Sequence, residues 1–271
     1  VTVRENIPFT HSWALIHHGT VSDSAGDTTR VYPLQSVTKL LAAWSTLIAI
    51  DQGYLGLDDP VEIPGATVRH LLSHASGLPF DSQTPQFSAE KRRVYSNAGY
   101  DLLGGIVEKA TGWTLSEWID TRLLGPLGMS RAEVAGSPAN SGVGSVNDLV
   151  LLANELAAPT LVSPDLAREA TRAQFPDLVG IVPGYGRHNP CPWGLGPEIH
   201  GHKSPHWMSP QASQHAYGHF GVSGSFLWVD PDRDAAAVFL GEEPFGAWHQ
   251  EHWHLFNDEL ITQIDEATRE N

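Results

Sequence analysis

The chain has 271 residues, 41% of them hydrophobic, which is enough to bury a substantial core in one large or two interleaved domains. Acidic residues outnumber basic ones 31 to 16, giving a formal charge of -15, so nucleic acid and anionic membrane surfaces are poor partners. The single cysteine, Cys191, excludes an internal disulfide, and the longest apolar stretch, 40–50, is broken by Ser45 and Thr46 and is too short to span a bilayer. With no apolar signal core near residue 1, a cytoplasmic location is expected.

In chain order, residues 13–18 read as a strand, and 28–32 as its expected antiparallel partner across a turn rich in Ser, Gly and Asp. From Ser36 to about Asp51, Leu40, Leu41, Trp44, Leu47 and Ile48 recur at helical spacing, and Gly53 stands where a helix stops. This helix is expected to be buried on most sides. Helices are then predicted at 68–74, 98–111, 115–123, 147–156 and 164–174. Thr114 with Glu117 forms a capping box, and Ser163 before Pro164 is an N-cap followed by proline at the first helical position. Strand character returns at 193–199, 226–229 and 235–240, the last two forming a hairpin over the turn Asp230-Pro-Asp-Arg-Asp234. A closing helix over 246–268 is expected to lay Trp248, Leu255 and Ile261 on the sheet. The architecture is therefore α+β. It consists of an antiparallel sheet formed from both chain ends and flanked by helices (1–57 with 188–271), and a mostly helical insert (58–187).

Ser36-Val37-Thr38-Lys39 places a hydroxyl and an amine on one face at the start of the buried helix. A serine hydroxyl needs a base to become a nucleophile, and a lysine serves only when burial or positive charge lowers its pKa. Backbone N–H groups at the helix start can stabilise charge developing on a carbonyl oxygen. Ser88-Ala-Glu-Lys91 has the same spacing but leads into a polar, basic stretch rather than an amphipathic helix.

To this pair the chain adds Tyr95-Ser96-Asn97 and His219-Phe220-Gly221, in that order, with His-Leu-Leu-Ser-His-Ala-Ser-Gly-Leu-Pro over 70–79. Together these resemble the serine β-lactamase and penicillin-binding protein superfamily, in the branch of class C β-lactamases, D-aminopeptidases, DD-carboxypeptidases and related esterases; a sister class's motif set is a known example. The resemblance runs from about Trp13 to Leu240. It includes Tyr-Ser-Asn-Ala-Gly-Tyr-Asp-Leu-Leu-Gly over 95–104, Gly-Pro-Leu-Gly-Met over 125–129 and Ser-Gly-Val-Gly-Ser-Val-Asn-Asp-Leu over 141–149. It implies a β-lactamase/DD-peptidase-like fold and an acyl-enzyme mechanism in which Ser36 attacks, Lys39 and Tyr95 share the proton work, and Asn97 orients substrate. The backbone N–H groups of Ser36 and Val222 would form the oxyanion hole, with His219, Phe220 and Gly221 lining the substrate site.

The third motif departs from the family's usual Lys-Thr-Gly. Phe220 has no hydroxyl for a substrate carboxylate, and His219 is neutral near pH 7 unless its pKa is raised. Small esters or neutral amides are therefore expected ahead of β-lactams and D-stereospecific peptides. If His219 acts on Lys39 and Tyr95, the rate should respond to pH between about 6 and 8. Little sequence precedes the first strand to supply the family's usual N-terminal helix, and loops that shape the cleft in the family are expected to be absent.

Fourteen histidines invite a metal reading at His200, His202 and His206 or at His249, His252 and His254. No H-E-x-x-H is present, and the second group is interleaved with Trp253 and Phe256, so packing histidines and no cofactor are expected. His70 and His74 are expected to be structural hydrogen-bonders. An α/β-hydrolase is disfavoured because Gly221-Val-Ser-Gly-Ser225 only approaches G-x-S-x-G. The rival outside enzymes is a ligand- or peptide-binding protein on the same fold.

Overall fold

The computed structural model describes residues 2–270. Strand β1 (His11–His17) turns at once into β2 (Thr20–Ala25) through His18 and Gly19, whose positive φ values of 52° and 72° suit a tight two-residue hairpin. The partner expected at 28–32 is thus replaced by 20–25. The cause is that β2 is a polar, largely exposed edge strand without the apolar alternation that marks a strand in sequence. Residues 28–31 form no strand, and the chain continues into β3 (Tyr32–Pro33).

A 3-10 turn over Gln35–Val37 leads into α1 (Thr38–Asp51), in which every residue from Thr38 to Ala49 is buried, as expected. There follow α2 (Val68–Leu72), α3 (Asn97–Thr111), α4 (Leu115–Ile119) and, after a π turn at Asp120–Leu124, α5 (Gly125–Leu127). The Thr114–Glu117 capping box is formed. Strand β4 (Val143–Gly144) pairs with β3 and precedes α6 (Val146–Ala157) and α7 (Pro164–Ala170). Ser163 stands at the α7 N-cap, but its hydroxyl donates to Asp51 Oδ1 at 2.8 Å instead of capping.

A small hairpin of β5 (Gly180–Val182) and β6 (Gly186–His188) leads to β7 (Glu198–Ile199), β8 (Tyr217–Gly221), β9 (Ser225–Asp230), β10 (Ala235–Gly241) and the closing helix α8 (Ala247–Arg269). The strand expected over 193–199 contracts to β7, because the chain doubles back at Gly196 (φ 113°) and bridges Trp193 to Glu198. The β9–β10 hairpin forms as expected.

The six-stranded sheet has the order β2-β1-β10-β9-β8-β7, so the N-terminal hairpin pairs with the C-terminal strands. Period-two alternation divides its side chains between two cores. Ala14, Ile16, Leu227, Val229, Ala236 and Val238 face the helical region, where they join Leu41, Trp44, Leu103 and Trp118. Trp13, Leu15, Phe226, Trp228, Ala237 and Phe239 face α8, meeting Trp253, Phe256, Leu260, Ile261 and Ile264. Leu255, expected on the sheet, is 44% exposed; Trp248 is only partly buried, and Ile261 is buried as expected. We propose that 1–57 with 188–271 and 58–187 are subdomains sharing the first of these cores. Among the described residues no helix is long and apolar enough to cross a membrane.

Phe256 is fully buried between Trp13 and Phe239. Phe256→Ala should therefore cost about 3–5 kcal/mol, read as a lower denaturant midpoint at unchanged m-value.

Candidate active site

Ser36 lies in the 3-10 turn ahead of α1, directly after Gln35, a non-glycine residue with φ 47°. Such a backbone persists only when its surroundings hold it. Leu34 N–H donates to Gly142 O at 2.9 Å, and Ser225 Oγ donates to Leu34 O at 3.0 Å, fixing the turn between the loop before β4 and the β8–β9 hairpin. Gly221 makes the approach possible, since a Cβ there would lie 2.3 Å from Leu34 O and 3.1 Å from Ser36 N.

Lys39, one helical turn on, is fully buried. Its Nζ donates to Ser36 Oγ at 3.2 Å, Asn97 Oδ1 at 2.6 Å and Ala139 O at 2.9 Å, so its three donor directions are matched by three acceptors. Burial brings its pKa down from 10.5 to about 7, partly opposed by the carboxylate of Asp101. The ring centres of Tyr95 and Tyr100 lie 4.7 and 5.6 Å from Nζ.

Asn97 opens α3, where Ser96 Oγ caps the helix by accepting from Gly99 N–H at 2.9 Å and donates to Pro79 O. The segment 70–79 supports this helix start from below. His74 Nδ1 accepts Ser96 N–H at 3.1 Å, and Tyr100 donates to Leu72 O at 2.9 Å. His70 joins Thr67 to Glu90. Both histidines thus have the structural surroundings expected of them.

A cavity of about 300 Å3 lies over Ser36, lined by Tyr95, Asn97, Trp193, Glu198, His219 and Phe220 among others. Burial pushes the Tyr95 phenol well above its ordinary pKa, and a side-chain hydrogen bond with Ser36 opposes the shift. His219 donates from Nδ1 to Phe220 O at 2.8 Å, because a carbonyl can only accept. Its Nε2 is therefore a bare acceptor, buried and without a partner among the described residues. Burial, then the charge of Lys39, holds the His219 pKa at about 3. This corrects the expected role of His219 as the group titrating between pH 6 and 8: the imidazole stays neutral there, and the group with its midpoint in that window is Lys39.

Several site residues carried no motif signal. Ala139 contributes only its carbonyl, and Asn140 lines the cavity from the same loop. Glu198 is buried at the cavity wall, where Lys203, His206 and Trp207 donate to it at 2.7, 2.7 and 2.8 Å. These donors hold its pKa well below the ordinary carboxylate value despite burial. His206, whose pKa burial lowers, thus hydrogen-bonds to the carboxylate of the Lys203–Glu198 ion pair. His249 accepts from Gly246 N–H and His252 bonds to Trp248 O. Among the described residues no group of three or more His, Cys, Asp or Glu is placed to hold a metal ion.

Fold and site together define a protein of the serine β-lactamase and penicillin-binding protein class. The family model described as Beta-lactamase matches residues 12–254, and the chain belongs to that family. The crystal structure of a β-lactamase from Mycobacterium bovis is 38% identical with a TM-score of 0.95, covering 97% of this chain and 98% of that one. Penicillin-binding protein 4* of Bacillus subtilis is 31% identical over 140 residues, covering 40% of this chain but only 31% of its own length. A Salmonella enteritidis protein provisionally named a D-alanyl-D-alanine carboxypeptidase is 23% identical over 309 residues, covering 80% of this chain and 70% of that protein.

The electrostatics are open to direct measurement. NMR of ε-13C-labelled lysine should show Lys39 titrating with a midpoint at about 7, while the His219 ring protons stay unshifted from pH 5 to 9. A Lys39 midpoint near 10 would contradict the burial argument.

Proposed function

We propose that this chain is a serine hydrolase of the class C β-lactamase-like branch, acting through an acyl-enzyme on small esters. The observation that carries the reading is a fully buried Lys39, with a pKa of about 7, whose Nζ lies 3.2 Å from Ser36 Oγ, within reach for the neutral amine to accept the hydroxyl proton. In its neutral form Lys39 takes the Ser36 proton as Oγ bonds to the substrate carbonyl carbon. Tyr95, whose phenol resists ionisation, enters as a proton carrier: it gives its proton to the leaving group and is reprotonated from Lys39. The carbonyl oxygen takes up negative charge at the N–H groups of Ser36 and Val222, and Asn97 both holds Lys39 and orients substrate. Water then hydrolyses the acyl-enzyme by the same proton route.

The preference for esters rests on the charge of the cavity. No lysine or arginine is among its lining residues, His219 is neutral, and Phe220 offers no hydroxyl. A β-lactam or peptide carboxylate against β8 would be desolvated without a partner, which costs more than it returns. The provisional name of the Salmonella relative supports a D-stereospecific carboxypeptidase as the second reading.

Hydrolysis of p-nitrophenyl butyrate beside nitrocefin tests the proposal. Ester turnover should fall by about 10^3 or more in Ser36→Ala and by about 10^2 to 10^4 in Tyr95→Phe, with nitrocefin left nearly intact by the wild type. Rapid nitrocefin cleavage would favour a β-lactamase, and no turnover of either substrate together with no fluorophosphonate adduct on Ser36 a binding protein. Because the base must be neutral, kcat/KM should rise with pH through about 7, where Lys39 loses its proton. His219→Lys should improve turnover of carboxylate-bearing substrates by about tenfold, by supplying the missing cation.

A further inference from the structure

The cavity over Ser36 shares Phe80, Tyr95 and Pro183 with an adjoining groove of about 570 Å3. The three most exposed large hydrophobic residues among those described, Ile181 (62%), Val222 (54%) and Phe80 (53%), all line the cavity or this groove. Exposed apolar surface concentrated at one place marks a binding surface. Arg92 and Arg187 line the groove as well. Both are exposed, and among the described residues neither guanidinium makes an ion pair or side-chain hydrogen bond; Arg92 lies 5.1 Å from the centre of the Phe87 ring. Arg4, Arg30, Arg69, Arg168, Arg172 and Arg233 are each paired with an acid, while Arg122, Arg131 and Arg269, like the groove pair, make no ion pair among the described residues; what sets Arg92 and Arg187 apart is that both line one groove. Two exposed guanidinium groups against a single lining carboxylate, Asp81, leave this groove with a local excess of positive charge in a chain of 31 acidic and 16 basic residues.

Their placement is built in. Arg93, beside Arg92, is buried with its guanidinium bonded to the carbonyls of Ser73, Gln174, Phe175 and Cys191, and its N–H donates to Val179 O at 2.8 Å. This ties the segment holding Arg92 to β5, where Ile181 stands directly opposite Arg187 of β6.

We infer that the groove takes the leaving-group half of the substrate, an elongated alcohol or thiol with an apolar stem over Phe80 and Ile181 and an anionic terminus at Arg92 and Arg187. The inference rests on the hydrolase reading above, in which Tyr95 protonates the leaving group; Tyr95 is also the catalytic side chain that lines both cavity and groove. For a thioester the Ser36 Oγ–C bond forms, the C–S bond breaks, sulfur takes the proton relayed by Tyr95, and water releases the acid. An anion excluded from the inner cavity thus finds its partners outside it.

The test compares the butyryl thioester of mercaptooctanoic acid with that of its methyl ester, which share one scissile bond and differ only in the distant charge. Thiol release gives kcat/KM for each. The wild type should favour the acid about fivefold at low salt, less at high salt, and Arg92→Gln with Arg187→Gln should bring the ratio to about one. A ratio of one or below in a wild type that hydrolyses both thioesters would overturn the groove assignment while leaving the hydrolase reading intact. Failure to turn over either thioester or p-nitrophenyl butyrate would overturn both. A ratio of one together with binding to phosphatidylglycerol vesicles that the double variant loses would give the arginines to a membrane surface instead.

Discussion

The burial of one amine organises this protein. Moving the Lys39 pKa from 10.5 to about 7 corresponds to roughly 5 kcal/mol against the charged form, and the buried amine, charged or neutral, still needs hydrogen-bond partners for its N–H groups. The acceptors come from three distant stretches: Ser36 from the turn before α1, Asn97 from the first turn of α3, and Ala139 from the loop ahead of β4. Those segments must converge for Lys39 to be buried at all. The convergence then sets the distance between nucleophile and base.

The surroundings of that contact are arranged to keep it free of competing charge. His74 and His219 both pack near Tyr95, yet burial depresses the pKa of each, so neither adds positive charge beside Lys39. Gly221 lets β8 close over the serine turn without a Cβ to hold it away. The one strong carboxylate at the cavity wall, Glu198, is neutralised in place by Lys203 and hydrogen-bonded by His206 and Trp207, so it faces the cavity without an unpaired charge.

What could be read from the sequence was what is local. The buried α1 helix, the Ser36–Lys39 spacing, the Thr114 capping box and the β9–β10 hairpin each depend on residues within a few positions of one another. Strand β8 was invisible because its five residues include Gly218 and Gly221, which have little strand propensity and serve only the close approach of neighbouring chains. Along α8, apolar residues at 248, 253, 255, 256, 260 and 261 leave the buried face ambiguous until the sheet chooses it. The Ala139 carbonyl has no side-chain signature, and the pairing of Glu198 with Lys203 depends on how the chain turns at Gly201. For His219 the residue type was evident but its burial was not, and burial decides the charge.

In the proposed mechanism Lys39 acts as the neutral base that activates Ser36 near pH 7. The most direct measurement is the rate at which a fluorophosphonate modifies the protein as a function of pH, with the modified peptide identified by mass spectrometry. A single adduct on Ser36 is expected, with a rate that rises with pH to a plateau with a midpoint at about 7, the pKa of Lys39. A rate independent of pH between about 6 and 8, or an adduct on another residue, would contradict that role of Lys39.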